Sequence, residues 1–100
     1  MSTDQIHRYV VAYDVRLDSR RNRVAKTLES YGDRIQYSVF LVDVKPAKLL
    51  RLKAKVHMHV DLNTDSVLVC DLGPLSHGGT RRIEFIGLER SFTGQGPLIL

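Results

Sequence analysis

Arg34-Ile-Gln-Tyr-Ser-Val-Phe-Leu-Val-Asp43 is the stretch on which the fold turns. Ile35, Tyr37, Val39 and Leu41 recur at every second position, and Arg34, Gln36, Ser38, Phe40 and Val42 fill the positions between. That period of two, in β-branched and aromatic residues, predicts a strand over 34–43. Working toward the N-terminus, Val24, Ala25, Leu28 and Tyr31 recur at helical spacing, with Asp18 or Ser19 placed to cap the helix. Gly32 stands where a left-handed cap would end it. Before that helix, Tyr9-Val-Val-Ala-Tyr-Asp-Val15 is short, β-branched and apolar on both alternating faces, which predicts a buried strand.

Working toward the C-terminus, Pro46 suits the first turn of a second helix. Leu49, Leu52 and Val56 form its apolar stripe, and Lys48, Arg51, Lys53 and Lys55 occupy most of the remainder. His57-Met-His-Val60 alternates polar and apolar, so it fits either the frayed end of that helix or the start of a strand. Asp61–Asp65 is turn-like. Ser66–Leu72 predicts a third strand, apolar on both faces through Val67, Leu68, Val69 and Cys70. Gly73-Pro74 through Gly78-Gly79 reads as a loop, and Arg82–Leu88 as a further strand. The order by these boundaries is β-α-β-α-β-β, one strand displaced from the split ferredoxin-like β-α-β-β-α-β unit.

One hundred residues make one domain, expected over 1–100. Strands that are apolar on both faces need cover on both, and helices supply it on one. A second copy in a two-fold dimer is the simplest cover for the other face. The tail fits this reading. Gly94-Gln-Gly96 is a flexible joint, and Pro97-Leu-Ile-Leu100 is apolar, so residues from about 92 to 100 are expected to dock on the partner protomer, where they can add as an exchanged edge strand; docking on their own sheet is the alternative. The only cysteine, Cys70, lies in an apolar run, without zinc-site spacing. The charged start, Met1 to Arg8, has no signal-peptide character, and no 18-residue apolar run exists. A cytoplasmic protein without a membrane partner is expected.

Fifteen Lys and Arg against eleven Asp and Glu give a net charge of +4, compatible with a nucleic-acid partner. Asp14 ends the first strand, where an ionised carboxylate needs water, a cation or a metal; the plainer alternative is an acid capping the next turn. Arg16, Arg20, Arg21 and Arg23 follow it, and Arg34 opens the next strand. The guanidinium fork binds phosphate bidentately, and a helix N-terminus attracts anions. A cationic rim around a hard oxygen ligand suits phosphodiester hydrolysis with Mg²⁺ or Mn²⁺. One carboxylate makes a poor metal site, but Asp14 and its symmetry mate could share one ion per dimer. His57 and His59 have no third ligand beside them, and His7 and His77 carry no signal. No nucleophile elbow accompanies any serine.

Tyr13-Asp14, then Arg21-Asn-Arg23-Val24-Ala25, Gly32 and Arg34-Ile-Gln-Tyr-Ser-Val-Phe40, taken in order, resemble the small CRISPR-associated endoribonuclease family of the spacer-acquisition (adaptation) module. The resemblance runs from Tyr9 to Asp43 and more loosely beyond. It implies a ferredoxin-like βαββαβ α+β sandwich, with an antiparallel sheet and helices on one face. It implies a homodimer whose sheets face each other and a metal bound between the two Asp14 carboxylates. Members of the family cleave single-stranded RNA or double-stranded DNA, and bridge integrase dimers while holding a DNA fragment for insertion. By motif, Tyr13 and Asp14 correspond to the active-site pair. Arg21, Arg23 and Arg34 correspond to positions needed for activity or phosphate contact, and Ser38 and Phe40 to the region lining the catalytic cleft. Many relatives carry an acid directly after that Phe; here Leu41 stands there. The resemblance also requires a strand that periodicity alone does not place. Two functions follow: a metal-dependent endonuclease, or a non-catalytic dimeric scaffold that grips duplex backbone and docks an integrase. A single-strand RNA platform is excluded by the absence of its aromatic-Gly signature.

Overall fold

The computed structural model describes residues 5–77 and 83–89. Six elements follow one another: β1 His7–Asp14, α1 Asp18–Glu29, β2 Asp33–Gln36, β3 Val39–Val44, α2 Pro46–His57 and β4 Ser66–Pro74. The strands form one sheet in the order β2-β3-β1-β4, each neighbouring pair antiparallel. This β-α-β-β-α-β connectivity is the ferredoxin-like α+β sandwich.

The missing strand lies inside Arg34–Asp43. The chain reverses at Tyr37-Ser38, and Gln36 pairs with Val39, so the expected single strand is a hairpin of β2 and β3. His57 closes α2, and 58–60 form turn and bend rather than a strand. β4 extends two residues beyond the expected Leu72, to Pro74. A bulge opposite Arg8, with Gly73 at φ +95°, carries it there. The expected strand over Arg82–Leu88 is not formed: residues 83–89 are irregular, with a bend at 86–88, and Arg82 lies outside the described residues. The expectations for Gly94–Gly96 and for the tail through Leu100 also fall outside them.

The two helices cover one face of the sheet. Tyr9, Val11 and Tyr13 of β1 and Phe40, Val42 and Val44 of β3 meet Val24, Ala25 and Leu28 of α1 and Leu49, Leu52 and Val56 of α2 in one buried cluster. The stripe predicted for each helix is therefore the one that is buried. Leu17, not Asp18 or Ser19, holds the N-cap position of α1 and makes no side-chain cap bond; Asp18 instead pairs with Arg21 one turn on. Gly32 is not left-handed. It passes so close to β3 that a Cβ would lie 2.1 Å from the Leu41 carbonyl oxygen, so close approach is what requires a glycine there.

Among the described residues the other face carries no helix. Arg8 is fully buried on it and binds Asp43 bidentately, at 2.7 and 2.6 Å. Ile35 and Leu41 are buried although they belong to this face, and residues 83–86 line a cavity of about 310 Å³ with Val10, Ile35 and Gln36. Toward β4 the face opens, and Leu68 is 60% exposed. Among the described residues no helix is long and apolar enough to cross a membrane.

Candidate functional site

Strand alternation decides what β1 presents at its carboxyl end. Tyr13 turns toward the helices and is buried, whereas Asp14 turns the other way and is exposed. Asp14 pairs with Ser66 of β4 and continues a row in which Ala12 pairs with Leu68 and Val10 with Cys70. The carboxylate thus belongs to the helix-free face, at its edge.

Tyr13 anchors a separate cluster behind it. Its ring stacks on Phe40 at 6.3 Å, and its N–H donates to the Ser38 carbonyl at 3.1 Å. Its hydroxyl accepts from Arg34 Nη2 at 3.2 Å and donates to the Tyr37 carbonyl at 3.5 Å. The Arg34 guanidinium lies 5.2 Å from the centre of Phe40 and 5.9 Å from that of Tyr37. Arg34 Nε is buried there without a hydrogen-bond partner. Tyr37, 71% exposed, was not singled out by the sequence, because its strand-like alternation concealed the turn it occupies. Phe40 lines no open cleft: it is fully buried, and its contribution is a ring beneath Arg34.

The arginines after Asp14 do not act alike. Arg20 is drawn to Asp65, donating through Nε at 2.8 Å and Nη2 at 3.2 Å, and to Thr64 at 3.4 Å. Asp65 also accepts the N–H groups of Arg16 and Asp61, at 3.0 and 2.8 Å, and the Thr64 hydroxyl. The Arg20 guanidinium, aided by these N–H donors, holds the Asp65 carboxyl well below the usual carboxylate range, and Asp65 in turn raises Arg20. Arg20 therefore ties α1 to the loop before β4 instead of standing free on a rim. Arg21 donates to the Val15 carbonyl at 2.8 Å and to Asp18. The side chains of Arg16 and Arg23 are exposed. Asp65 went unnoticed in the sequence because nothing in a DLNTD turn reveals which acid will be buried.

Among the described residues no group of three or more His, Cys, Asp and Glu could hold a metal ion. His7 is engaged elsewhere, its Nδ1 lying 2.9 Å from Asp71 Oδ1 across the β1–β4 pair.

Fold and site together define a small ferredoxin-like α+β domain with a lone carboxylate closing its first strand and an arginine held on aromatic rings behind it. Residues 7–76 match the family model described as CRISPR associated protein Cas2, and the chain belongs to that family. CRISPR-associated endoribonuclease Cas2 3 of Rhodospirillum rubrum is 38% identical over 96 residues, spanning 91% of this chain and 98% of the relative. The crystal structure of Streptococcus pyogenes Cas2 at pH 6.5 superposes with a TM-score of 0.71 at 34% identity, covering 80% of this chain and 99% of that one. A chain of a partial Cas6-RT-Cas1–Cas2 complex superposes with a TM-score of 0.66 at 28% identity, covering 80% and 90%.

Proposed function

We propose that the chain is a homodimeric endonuclease of CRISPR spacer acquisition, cutting single-stranded RNA or duplex DNA with a divalent cation shared by two Asp14 side chains. The observation that carries this reading is the position of Asp14 at the end of the row Val10, Ala12, Leu68 and Cys70 on the helix-free face. A second sheet docked on that face brings two carboxylates together and supplies the ligand that one chain lacks. Its nearest support from similar proteins is that the R. rubrum relative is an endoribonuclease by name.

The donor set suits the cation. Mg²⁺ takes hard oxygen ligands, keeps several waters and needs only one or two carboxylates; Mn²⁺ accepts the same donors. When bound, such an ion offers Lewis-acid polarisation of a phosphoryl oxygen and an acidified water. The chain's own residues bind and orient. The exposed Arg16 and Arg23 are available to offset phosphate charge. Tyr13 fixes Arg34 through its hydroxyl, so that this guanidinium keeps one orientation on its rings. Arg20, with Asp65, holds the start of α1 to the loop before β4.

A second reading is favoured by the Cas1–Cas2 complex among the similar structures. In it the dimer is a scaffold that grips duplex DNA and docks an integrase partner, and Asp14 is structural. Cleavage of labelled single-stranded RNA and duplex DNA by wild type and Asp14→Ala, with Mg²⁺ or with EDTA, separates the two. Metal-dependent cleavage that falls to background in Asp14→Ala is expected. Binding by both proteins with cleavage by neither would leave the scaffold.

A further inference from the structure

The net charge of this chain has an address. Residues 45–57 contain Lys45, Lys48, Arg51, Lys53 and Lys55 and no acid, while the rest of the chain carries ten basic and eleven acidic side chains. The whole positive excess therefore lies on α2 and the residue before it. All five side chains are exposed, and none forms an ion pair with a described residue. The arginines of α1 contrast with them, since Arg20 and Arg21 are paired with Asp65 and Asp18.

Lys48, Arg51 and Lys55 follow the i, i+3, i+7 spacing of a single helix face. Lys53 and His57 stand on another side, beside an apolar groove that Val67 and Val69 of β4 also line. Tyr31, at the end of α1, gathers two of the three: Lys48 Nζ and Lys55 Nζ lie 5.6 and 5.2 Å from its ring centre. Like charges three and four residues apart on a helix repel, and Lys48 in the first turn also opposes the helix dipole. A solvated helix face ordinarily mixes both signs; this one concentrates one sign against its own stability. A polyanion removes that conflict.

We infer that the face of α2 carrying Lys48, Arg51 and Lys55 docks the phosphate backbone of duplex nucleic acid, independently of base sequence. The three residues span about 10 Å of helix axis at 1.5 Å per residue, the length over which one strand of B-DNA displays roughly three phosphates. Single strands are gripped through aromatic stacking platforms. α2 has no Phe, Tyr or Trp, its one imidazole, His57, stands on another side of the helix, and the ring beside it is already occupied by two ammonium groups. The inference rests on the reading that duplex nucleic acid is the partner and adds the surface that grips it, which is not that of Asp14.

The test is the salt dependence of binding to a mixed-sequence DNA duplex, in EDTA so that no cleavage intervenes. The variant Lys48→Gln/Arg51→Gln/Lys55→Gln should bind more weakly, with the slope of log K against log[salt] shallower by about 0.9 for each contact removed. Lys26→Gln, exposed on α1, should leave the slope unchanged. A single strand of the same sequence should bind the wild type less tightly than the duplex. An unchanged slope in the triple variant, an equal loss in Lys26→Gln, or tighter single-strand binding would each overturn the assignment. Should the triple variant not fold, Arg51→Gln alone decides, since Arg51 contacts no ring of the described residues: a slope shallower by about 0.9 is expected, and no change refutes the surface. Cleavage by Asp14→Ala bears only on the earlier reading, and these slopes only on this one.

Discussion

Five hydrogen bonds converge on the carboxylate of Asp65, two of them from Arg20 and one each from the N–H groups of Arg16 and Asp61 and the Thr64 hydroxyl. Such an acid links stability to pH with a definite sign. Its folded-state pKa is depressed, so between that value and the ordinary 3.8 the unfolded chain binds more protons than the folded one. The stabilisation is complete above 3.8 and is lost as the pH falls toward the depressed value. Asp65→Asn should therefore melt at lower temperature than wild type at neutral pH, and the gap should narrow as the medium is acidified below 3.8. Thermal melts followed by circular dichroism across that range check it; a gap independent of pH would assign the effect to packing. Gly32 poses the opposite problem, one of space. The Cβ of Gly32→Ala would meet the Leu41 carbonyl oxygen at 2.1 Å and Val42 Cα at 3.0 Å, both backbone atoms that cannot swing aside. Overpacking of this kind costs about 1–3 kcal/mol or more, and a urea titration should show the midpoint falling.

Hairpins are usually legible because a two-residue loop of primed type needs φ > 0, and so Asn-Gly or its kin. Here no described residue other than glycine has positive φ, so Tyr37-Ser38 turns without that signature. The strands accommodate it with a shift of register between Arg34 and Gln36. The hydrophobic period runs through the turn unbroken, and that is why RIQYSVFLVD reads as one strand. Both helices, whose apolar stripes carry the 3.6 period, were by contrast visible at once. The start of α2 was legible too, in Pro46, which opens it; that of α1 was not, because it has no side-chain N-cap and Leu17 occupies that position. Leu17 has extended backbone, φ −97° and ψ 132°, and is 52% exposed, so a serine there sacrifices little burial. Leu17→Ser should stabilise the chain by about 1 kcal/mol. The expected sign of it is a higher urea midpoint with an unchanged m-value.

At the scale of the molecule, the sheet has a face closed by helices and a face only partly covered, and Asp14 stands on the second. The sequence disclosed Asp14 and the arginines around it by type and spacing. It could not disclose that Arg20 is spent on Asp65, because that contact joins residues 45 positions apart. Nor could it show which residues of β4 stand beside Asp14, which depends on the β1–β4 register. That register makes dimerisation testable at a residue far from any charge. Leu68 pairs with Ala12, one step along the row from Asp14, and burying such a side chain contributes about 1.5–3 kcal/mol. In Leu68→Glu, docking a second sheet would enclose an unpaired carboxylate close to the two at position 14, so the charge should oppose assembly without disturbing a core it does not touch. Sedimentation should find wild type at twice the 11.4 kDa chain mass and Leu68→Glu at the chain mass itself. Its thermal melt should remain cooperative, and metal-dependent cleavage should fall with Asp14 intact. A Leu68→Glu protein that stays dimeric would place the interface elsewhere, and one that cleaves as a monomer would remove the second Asp14 from the mechanism.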